Sequence, residues 1–268
     1  DDFSNPNPSQ KFADFVVNSA NEALVGTQAS YFPRGGRRQE TVNSAPWEAS
    51  SRWCGMEIGS DMVYPYQSCD GLIHRACGHE LLQYVQKHIP LLPNSSALGK
   101  DELRCHPGDV VWTPSFDQLQ QVYPHGIFHA VAPYYLEDNE EWRRLMRDCY
   151  TKVFHMTLCR HNGEGPRLRQ GNVPAIQQCN QRIIPEVTTP VLAVPFLGTG
   201  VRSAPLMLGV SVALDALETF FVDCDSLDAR QGVDSSQSMK LPTITIRYVT
   251  HHKDSDILDD MVNKFGTR

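Results

Sequence analysis

The sequence predicts an α/β fold in which helices cover a largely parallel sheet. Short apolar runs that are typical of buried strands alternate along the chain with stretches whose apolar residues recur every three or four positions. The composition agrees, because 41% of the 268 residues are apolar and 21% are charged, as in an ordinary folded protein. This length fits one large decorated domain or two small ones.

The first predicted elements are a strand, a long irregular stretch and a helix. Residues 14–17 form a short apolar run that ends in the polar turn 18–21, so they predict a buried strand. Residues 27–68 show no sustained period and predict an insertion, which could act as a lid over the site or pack elsewhere. From Asp70 the apolar residues follow a helical spacing. They are Leu72, Ile73, Ala76, Cys77, Leu81 and Val85.

The middle of the chain repeats strand and helix. Residues 108–113 and 126–131 are strand-like, and a proline closes each of them soon after. Residues 138–158 have the apolar spacing of an amphipathic helix. Residues 160–185 are rich in Gly, Pro, Asn and Gln, and they predict a long loop.

The last elements follow the same alternation. Residues 191–196 form a buried strand that runs through a glycine-containing turn into a helix opening at Pro205. Residues 243–249 predict a final strand, and residues 257–265 carry the apolar pattern of a closing helix.

Charge and hydropathy exclude several classes of partner. The chain has 24 Lys+Arg and 31 Asp+Glu, a net charge of −7, and no basic run longer than two residues. The chain is therefore a poor candidate for non-specific binding of backbone phosphates, which needs clustered positive charge, and no sequence-specific nucleic acid is expected as a partner. No apolar stretch reaches the roughly 18 residues that cross a bilayer, so no membrane partner is expected.

The eight cysteines indicate a reducing compartment. They are too sparse for a disulfide scaffold, and Asp1–Pro6 lacks the basic and apolar regions of a signal peptide. We expect the cytoplasm or nucleus, although the sequence lacks an initiating Met and an organelle address upstream stays open. No two cysteines form a C-x-x-C pair, and the only Cys/His neighbours are Cys105–His106 and Cys159–His161, so no metal is predicted.

Two strand-to-helix junctions could hold a ligand, because ligands of such sheets bind beyond the carboxyl ends of the strands. In residues 196–203, glycines allow close approach of backbone N–H groups, and the helix start favours an anion. The alternative is a purely structural turn. The segment matches neither the P-loop nor the dinucleotide fingerprint, which disfavours nucleotide triphosphates and an NAD-linked oxidoreductase.

The second junction is residues 67–75, where three side chains have alternative interpretations. Asp70 is either a site residue or an N-cap of its helix. Asn21, at the end of the first strand, is either a site residue or an ordinary turn residue. His74 lies between apolar positions, where a satisfied, half-buried histidine is more common than a catalytic one.

Taken together, these segments resemble the macrodomain family, in particular its MacroD-type branch of mono-ADP-ribosyl hydrolases. The family pattern V-N-A-A-N is matched by residues 17–21, and V-D-G-x-I-H-R-A-x-G by residues 69–78. Residues 108–116 and 127–133 correspond to G-E-x-x-x-T-P-G-Y and V-I-H-T-V-G-P. Residues 198–205 correspond to the phosphate loop S-T-G-[IV]-[FY]-G-[FY]-P.

The resemblance implies a three-layer α/β/α fold with a central mixed sheet. It implies a single domain over residues 1–268, with an insertion at 27–68 and a long loop near 160–185. The implied activity is removal of mono-ADP-ribose from acidic protein side chains and deacylation of O-acetyl-ADP-ribose, and the alternative is a non-catalytic ADP-ribose reader. The implied partners are ADP-ribose, O-acetyl-ADP-ribose and mono-ADP-ribosylated proteins, with no cofactor and a monomeric chain.

The resemblance also implies roles for individual residues. Asp70 would position the attacking water, and Asn21 would orient the distal ribose. Asp2, the Phe3 backbone and, more loosely, His251 would contact the adenine. Backbone N–H groups of two helix starts would bind the diphosphate. The residues of these two loops are Ser68, Cys69, Asp70, Gly71 and Leu72, and Gly198, Thr199, Gly200, Val201 and Arg202.

The chain departs from the family pattern at four places. The glycine run that normally precedes the Asp-Gly pair is absent, and the opening G-D-I is reduced to Asp2-Phe3. Gly198 stands in place of a serine, and Arg202 stands where an aromatic residue usually covers the distal ribose. These changes concern the ligand pocket rather than the fold.

Overall fold

The computed structural model describes six ranges of the chain: 12–26, 69–93, 103–161, 189–200, 202–230 and 243–249. Nine elements follow one another within these ranges. They are β1 (Phe15–Ser19), α1 (Cys69–His88), β2 (Val110–Thr113), α2 (Gln118–Val122), β3 (Gly126–Ala130), α3 (Glu140–His161), β4 (Val191–Pro195), α4 (Leu206–Arg230) and β5 (Thr245–Val249). A membrane-spanning helix is not found in these ranges.

The described strands form one mixed sheet in the order β2-β3-β1-β4-β5. β1 pairs in parallel with both β3 and β4, and β4 pairs in parallel with β5, whereas β2 runs antiparallel to β3. Parallel pairing brings the carboxyl ends of β1, β3 and β4 to the same edge. The first strand of the chain therefore lies centrally and delivers the residues after Ser19 to that edge.

Side chains of β1 alternate between two apolar cores, which places a helical layer on each face of the sheet. Phe15 and Val17 are fully buried against α3 and α4, and Phe15 stacks on Phe128 with ring centroids 5.1 Å apart. Val16 packs in the second core with α1 and α2. Burial of each large apolar side chain contributes roughly 1.5–3 kcal/mol. The predicted three-layer α/β/α arrangement with a mixed sheet is confirmed.

Most of the predicted elements are found, with small differences at their ends. β2 begins at Val110 rather than at residue 108, because Gly108 adopts a positive φ of 87° in a turn that packs against Leu145. Residues 160 and 161, predicted as loop, continue α3 to His161. The insertion at 27–68, the rest of the predicted loop and the closing helix at 257–265 lie outside the described residues.

The short helix α2 was not predicted from the sequence. It has five residues, of which Leu119 and Val122 are buried, so it offers too few positions for a recognisable period. α1 was predicted, but it is interrupted at Gly78, where φ is 61° and ψ is −156°. The first part of α1 therefore presents Asp70 to the sheet edge, and the second part packs Leu81 into the core.

Candidate functional site

Three segments meet at the carboxyl edge of the sheet, where ligands of α/β sheets bind. The first is the β1 loop, residues 20–26, which follows the central strand. The second is the start of α1 at Cys69. The third is the β4 loop, which consists of the described residues 196–200 and 202–205 between β4 and α4. Side-chain contacts of Asn21 with Asp70 and of Glu22 with Arg202 hold the three together.

Asp70 joins the start of α1 to the end of β1. One carboxylate oxygen, Oδ1, accepts a hydrogen bond of 2.7 Å from the Asn18 side chain, and Oδ2 accepts one of 3.1 Å from Asn21. Asp70 is only 3% exposed, so these hydrogen bonds to an acidic group form with little competition from water. The carboxylate is thereby fixed in position and orientation.

Behind Asp70 lies a chain of fully buried polar side chains. Asn18 Nδ2 also lies 3.0 Å from His129 Nδ1, and His129 Nε2 lies 2.9 Å from Thr113 Oγ1. Thr113 in turn donates to the Pro114 carbonyl oxygen at 3.1 Å. Asn18, His129 and Thr113 are all 0% exposed. We call them the Asn18–His129–Thr113 chain.

The donors in this chain can be assigned from their partners. Asn18 Nδ2 carries two N–H groups, which point at the Asp70 carboxylate and at His129 Nδ1. His129 Nδ1 is therefore an acceptor, and the ring donates its Nε2–H to Thr113. This is a neutral imidazole, since burial, together with a smaller effect of nearby His74, lowers the pKa of His129 to about 3.

Asn21 closes the β1 loop as well as contacting Asp70. Its side-chain oxygen accepts from the backbone N–H groups of Ala23 at 3.1 Å and Val25 at 3.4 Å, and its Nδ2 donates to the Gly26 carbonyl at 3.0 Å. The Asn21 side chain therefore stabilises the turn and also orients the Asp70 carboxylate.

His74 lies one helical turn after Asp70 and packs on the β1 loop. Its Nε2 is 3.6 Å from Asp70 Oδ1, and burial lowers the pKa of His74 while Asp70 opposes that shift. Gly26 has a φ of 78°, and a Cβ there would come within 2.7 Å of His74 Cγ. Glycine is therefore required at this position both for its backbone conformation and for space.

The β4 loop is closed by its own backbone. Ala204 N–H donates to Gly198 O at 2.9 Å, and Ser203 N–H donates to Gly200 O at 2.8 Å. Gly198 has a φ of 75°, and a Cβ there would lie 3.2 Å from the methyl group of Met146. At Gly200, by contrast, a Cβ would meet no described atom within 4 Å.

Arg202 connects the β4 loop to the β1 loop. Its Nη1 and Nη2 each donate a 2.9 Å hydrogen bond to a different carboxylate oxygen of Glu22. The guanidinium also lies over the Tyr134 ring, 4.1 Å from its centroid. Arg202 and Glu22 are both 6% exposed, so this is a buried, bidentate ion pair. The predicted binding residue Arg202 thus directs its charge at Glu22.

The structure brings together part of the predicted site. The end of β1 and the start of α1 bring together Asn21, Asp70 and Gly71, and Leu72 is half-buried one position further on. Through its ion pair with Glu22, Arg202 joins this region to the β4 loop, which contains Gly198, Thr199 and Gly200. Burial raises the pKa of the Cys69 thiol to about 12, so this residue is no thiolate nucleophile at neutral pH. The remaining predicted residues lie outside the described ranges. They are Asp2, Phe3, Ser68, Val201 and His251.

Sequence reasoning missed Asn18, His129, Thr113 and Glu22 as residues that organise the site. Three of them could have been found from the motif matches, because Asn18 lies in the matched segment 17–21, Thr113 in 108–116 and His129 in 127–133. Glu22 lies outside these motifs and could not have been found from the sequence, since its partner Arg202 is 180 residues away.

The comparisons with known proteins agree with this architecture. The Macro domain family model matches residues 61–213, which is more than half of the chain. A glycine-to-valine variant of the Oceanobacillus iheyensis macrodomain, solved with ADP-ribose, is similar with a TM-score of 0.53 and 16% identity, covering 98% of this chain and 91% of that one.

An asparagine-to-alanine variant of the same bacterial macrodomain has a TM-score of 0.50 at 16% identity, covering 97% of this chain and 85% of that one. No curated protein sequence matches this chain. The family match rests on the sequence and the fold similarity rests on the structure, and the two agree. The chain therefore belongs to the macrodomain family.

Proposed function

We propose that this macrodomain is a hydrolase of the MacroD type, which removes mono-ADP-ribose from acidic protein side chains and deacylates O-acetyl-ADP-ribose. One observation carries the proposal: the buried Asp70 carboxylate is held between Asn18 and Asn21 where the central strand ends and α1 begins. Support comes from the family membership, the motif matches at residues 17–21 and 69–78, and the ADP-ribose bound to the bacterial relative.

The diphosphate of ADP-ribose lies, in this proposal, between the start of α1 and the β4 loop. Both supply backbone N–H groups near a helix start, which favours an anion. Arg202 does not neutralise the diphosphate, since its guanidinium is paired with Glu22. Oriented amides therefore carry the recognition of the phosphates, and the reaction needs no cofactor or metal ion.

Asp70 acts by orienting a water molecule. Its two oxygens each accept one amide N–H, and a carboxylate can accept about four hydrogen bonds, so it can also accept one from water. The water attacks the acyl carbon of the ester that links the ribose to the acyl group or to the protein carboxylate. The bond between this carbon and the ribose oxygen breaks, and the ribose oxygen leaves as a hydroxyl group by taking up the proton that the water loses. Asp70 polarises this water, and a phosphate oxygen of the substrate shares the proton that the water releases.

The Asn18–His129–Thr113 chain positions Asp70 without exchanging protons. His129 is neutral down to about pH 3, and its Nδ1 only accepts a hydrogen bond. Its role is to hold the Asn18 amide so that one N–H faces Asp70. Asn21 holds the other carboxylate oxygen and would orient the distal ribose nearby.

The alternative function is a reader that binds ADP-ribose without cleaving it. The observation in its favour is that both oxygens of Asp70 already contact asparagines and that Asp70 is 3% exposed, as expected of a purely structural carboxylate. The two functions differ in turnover, not in binding.

The deciding experiment measures both properties on the same preparation. Calorimetry gives the affinity for ADP-ribose, and chromatography follows the release of ADP-ribose from O-acetyl-ADP-ribose and from a peptide ester-linked through glutamate. The hydrolase predicts binding together with turnover of both esters that scales with enzyme concentration. Binding without turnover would leave only the reader.

A further inference from the structure

Three side chains able to bind a metal ion meet at the amino edge of the sheet, opposite the site described above. Asp14 directly precedes β1, His125 directly precedes β3, and His161 ends α3. One potential ligand atom from each lies within 4.8 Å of the others. The cluster thus joins two neighbouring strands to the end of a helix.

The sheet register fixes two of the three residues side by side. Phe15 lies opposite Gly126 in the parallel pair of β1 and β3, so the preceding residues, Asp14 and His125, are also adjacent. The His125 backbone N–H donates to Asp14 O at 2.9 Å, and His125 Nδ1 lies 3.8 Å from Asp14 Oδ1. Backbone hydrogen bonding therefore holds the two residues side by side.

The Asp14 carboxylate is oriented in the way that metal ligands are. Asp14 is 3% exposed, and its Oδ2 accepts a 2.8 Å hydrogen bond from the backbone N–H of Val191, which turns Oδ1 toward His125. Carboxylates that bind metals are commonly held by such hydrogen bonds. The His161 ring completes the cluster, with its centroid 5.7 Å from that of His125.

We propose that Asp14, His125 and His161 bind one divalent transition-metal ion of the zinc type, with water completing its coordination. Two imidazoles and one carboxylate form a donor set that suits Zn²⁺. Ligand atoms around a tetrahedral zinc ion lie about 3.4 Å apart, given bond lengths of about 2.0–2.1 Å. The observed separations are larger, 3.8 Å between Asp14 and His125 and up to 4.8 Å within the cluster, so an ion must draw the side chains together. The His125 side chain, which is 43% exposed, has room to rotate.

The ion stabilises the fold and takes no part in hydrolysis. Asp14 and Asn18 are separated by the length of β1, which is about 13 Å at roughly 3.3 Å per residue. An ion at the amino edge is therefore too far away to contact Asp70 or its substrate. Its effect is to fasten the last turn of α3 to the start of β1 and β3.

The test uses the full chain, freed of metal with EDTA and then desalted. Calorimetric titration with ZnCl₂ is expected to show one ion bound with a micromolar or lower dissociation constant, and Co²⁺ is expected to give the visible absorption of a tetrahedral site. His125→Ala and His161→Ala should each weaken zinc binding at least tenfold. His79→Ala is the matched control, because this exposed histidine of α1 lies outside the cluster, and it should bind zinc like the parent chain.

Stability and ligand binding supply independent readouts. Zinc should raise the melting temperature of the parent chain but not that of His161→Ala, since an ion that binds only the folded state stabilises it. ADP-ribose affinity should be the same with and without zinc. The proposal is overturned if no single zinc ion binds, if the two variants bind zinc as tightly as the parent chain, or if removing zinc abolishes ADP-ribose binding.

Discussion

Arg202 and Glu22 form a buried, bidentate ion pair with two hydrogen bonds of 2.9 Å each. Arg202 comes from the β4 loop and Glu22 from the β1 loop, so the pair ties together the two segments between which the ligand is proposed to bind. The Glu22 backbone carbonyl also accepts hydrogen bonds from the N–H groups of Arg104 and Cys105. The pair therefore belongs to the framework of the site.

Glu22→Ala should lower the free energy of unfolding by about 3–5 kcal/mol, because it removes the carboxylate that neutralises a buried guanidinium. Urea denaturation measures this change. Glu141→Ala is the control, since Glu141 forms an exposed ion pair with Arg144 and its loss should change stability little. Equal effects of the two variants would contradict a structural role for the Arg202–Glu22 pair.

Gly26→Ala should destabilise the protein by about 1–2 kcal/mol or more, because the residue has a positive φ and its Cβ would collide with His74. Gly200→Ala is the control, since Gly200 lies outside the positive-φ region and a Cβ there would meet no described atom within 4 Å. Thermal unfolding should show the larger loss for Gly26→Ala, and adding His74→Ala should restore part of it. Without that restoration, the collision would not be the cause.

The neutral, buried His129 should make the protein less stable in mild acid. Its pKa of about 3 in the folded state lies below the unfolded value of about 6.5, so below pH 6.5 the unfolded chain binds a proton that the folded chain does not. Stability from this group is complete above pH 6.5 and is lost as the pH falls toward 3, by about 2 kcal/mol between pH 7 and pH 5.

His129→Gln isolates this effect, because glutamine can keep both hydrogen bonds but does not titrate. Urea unfolding at pH 7, 6 and 5 should show a pH dependence that is weaker in the variant by about 2 kcal/mol over this range. Carboxylates titrate equally in both proteins and cancel in the comparison. An identical pH dependence would mean that His129 is already protonated in the folded state.

ADP-ribose should bind in the micromolar range and more tightly than AMP, since AMP lacks one phosphate and the distal ribose. Calorimetry compares the two ligands directly, and equal affinities would contradict a site formed by two loops. Asp2→Ala should weaken ADP-ribose binding by roughly 1–3 kcal/mol, the cost of a buried ligand donor that loses its acceptor. An unchanged affinity would remove Asp2 from the adenine site.

The fold could be predicted well because its signals are local. The strand at 15–19, the helix after Asp70 and the strand at 191–195 each carry a period or an apolar run of their own. The helix α2 was missed because five residues give no period. Periodicity does not predict how the layers are ordered or that the sheet is mixed, and these two features were implied by the resemblance to the family.

The site could be predicted only in part because its contacts are long-range. Asp70 and Asn21 were found through motifs, but the hydrogen bond that joins them spans 49 residues and depends on the sheet. The pairing of Arg202 with Glu22 and the meeting of Asp14 with His125 have no local signature at all. Sequence patterns identify polar residues at element ends, whereas the strand register decides which of them touch.

Asp70 has a structural contribution that must be separated from its chemical one. Replacing it by alanine leaves the Asn18 and Asn21 amides without the acceptor that they share, at a cost of about 1–3 kcal/mol for each buried donor. Asp70→Asn is the milder variant, because it keeps the volume and one acceptor oxygen. Circular dichroism and ADP-ribose calorimetry should confirm that each variant is folded and binds before turnover is compared.

The most direct test of the account is the rate at which the Asp70 variants hydrolyse an ADP-ribose ester of a glutamate peptide. Hydrolysis should fall by a factor on the order of 100 or more, the size expected when a positioned proton acceptor is lost, while ADP-ribose binding is retained. Asn21→Ala should weaken both binding and turnover, and EDTA should leave the parent enzyme unaffected. Near-normal turnover by folded Asp70→Ala, together with loss of activity on chelation, would contradict the role assigned to Asp70.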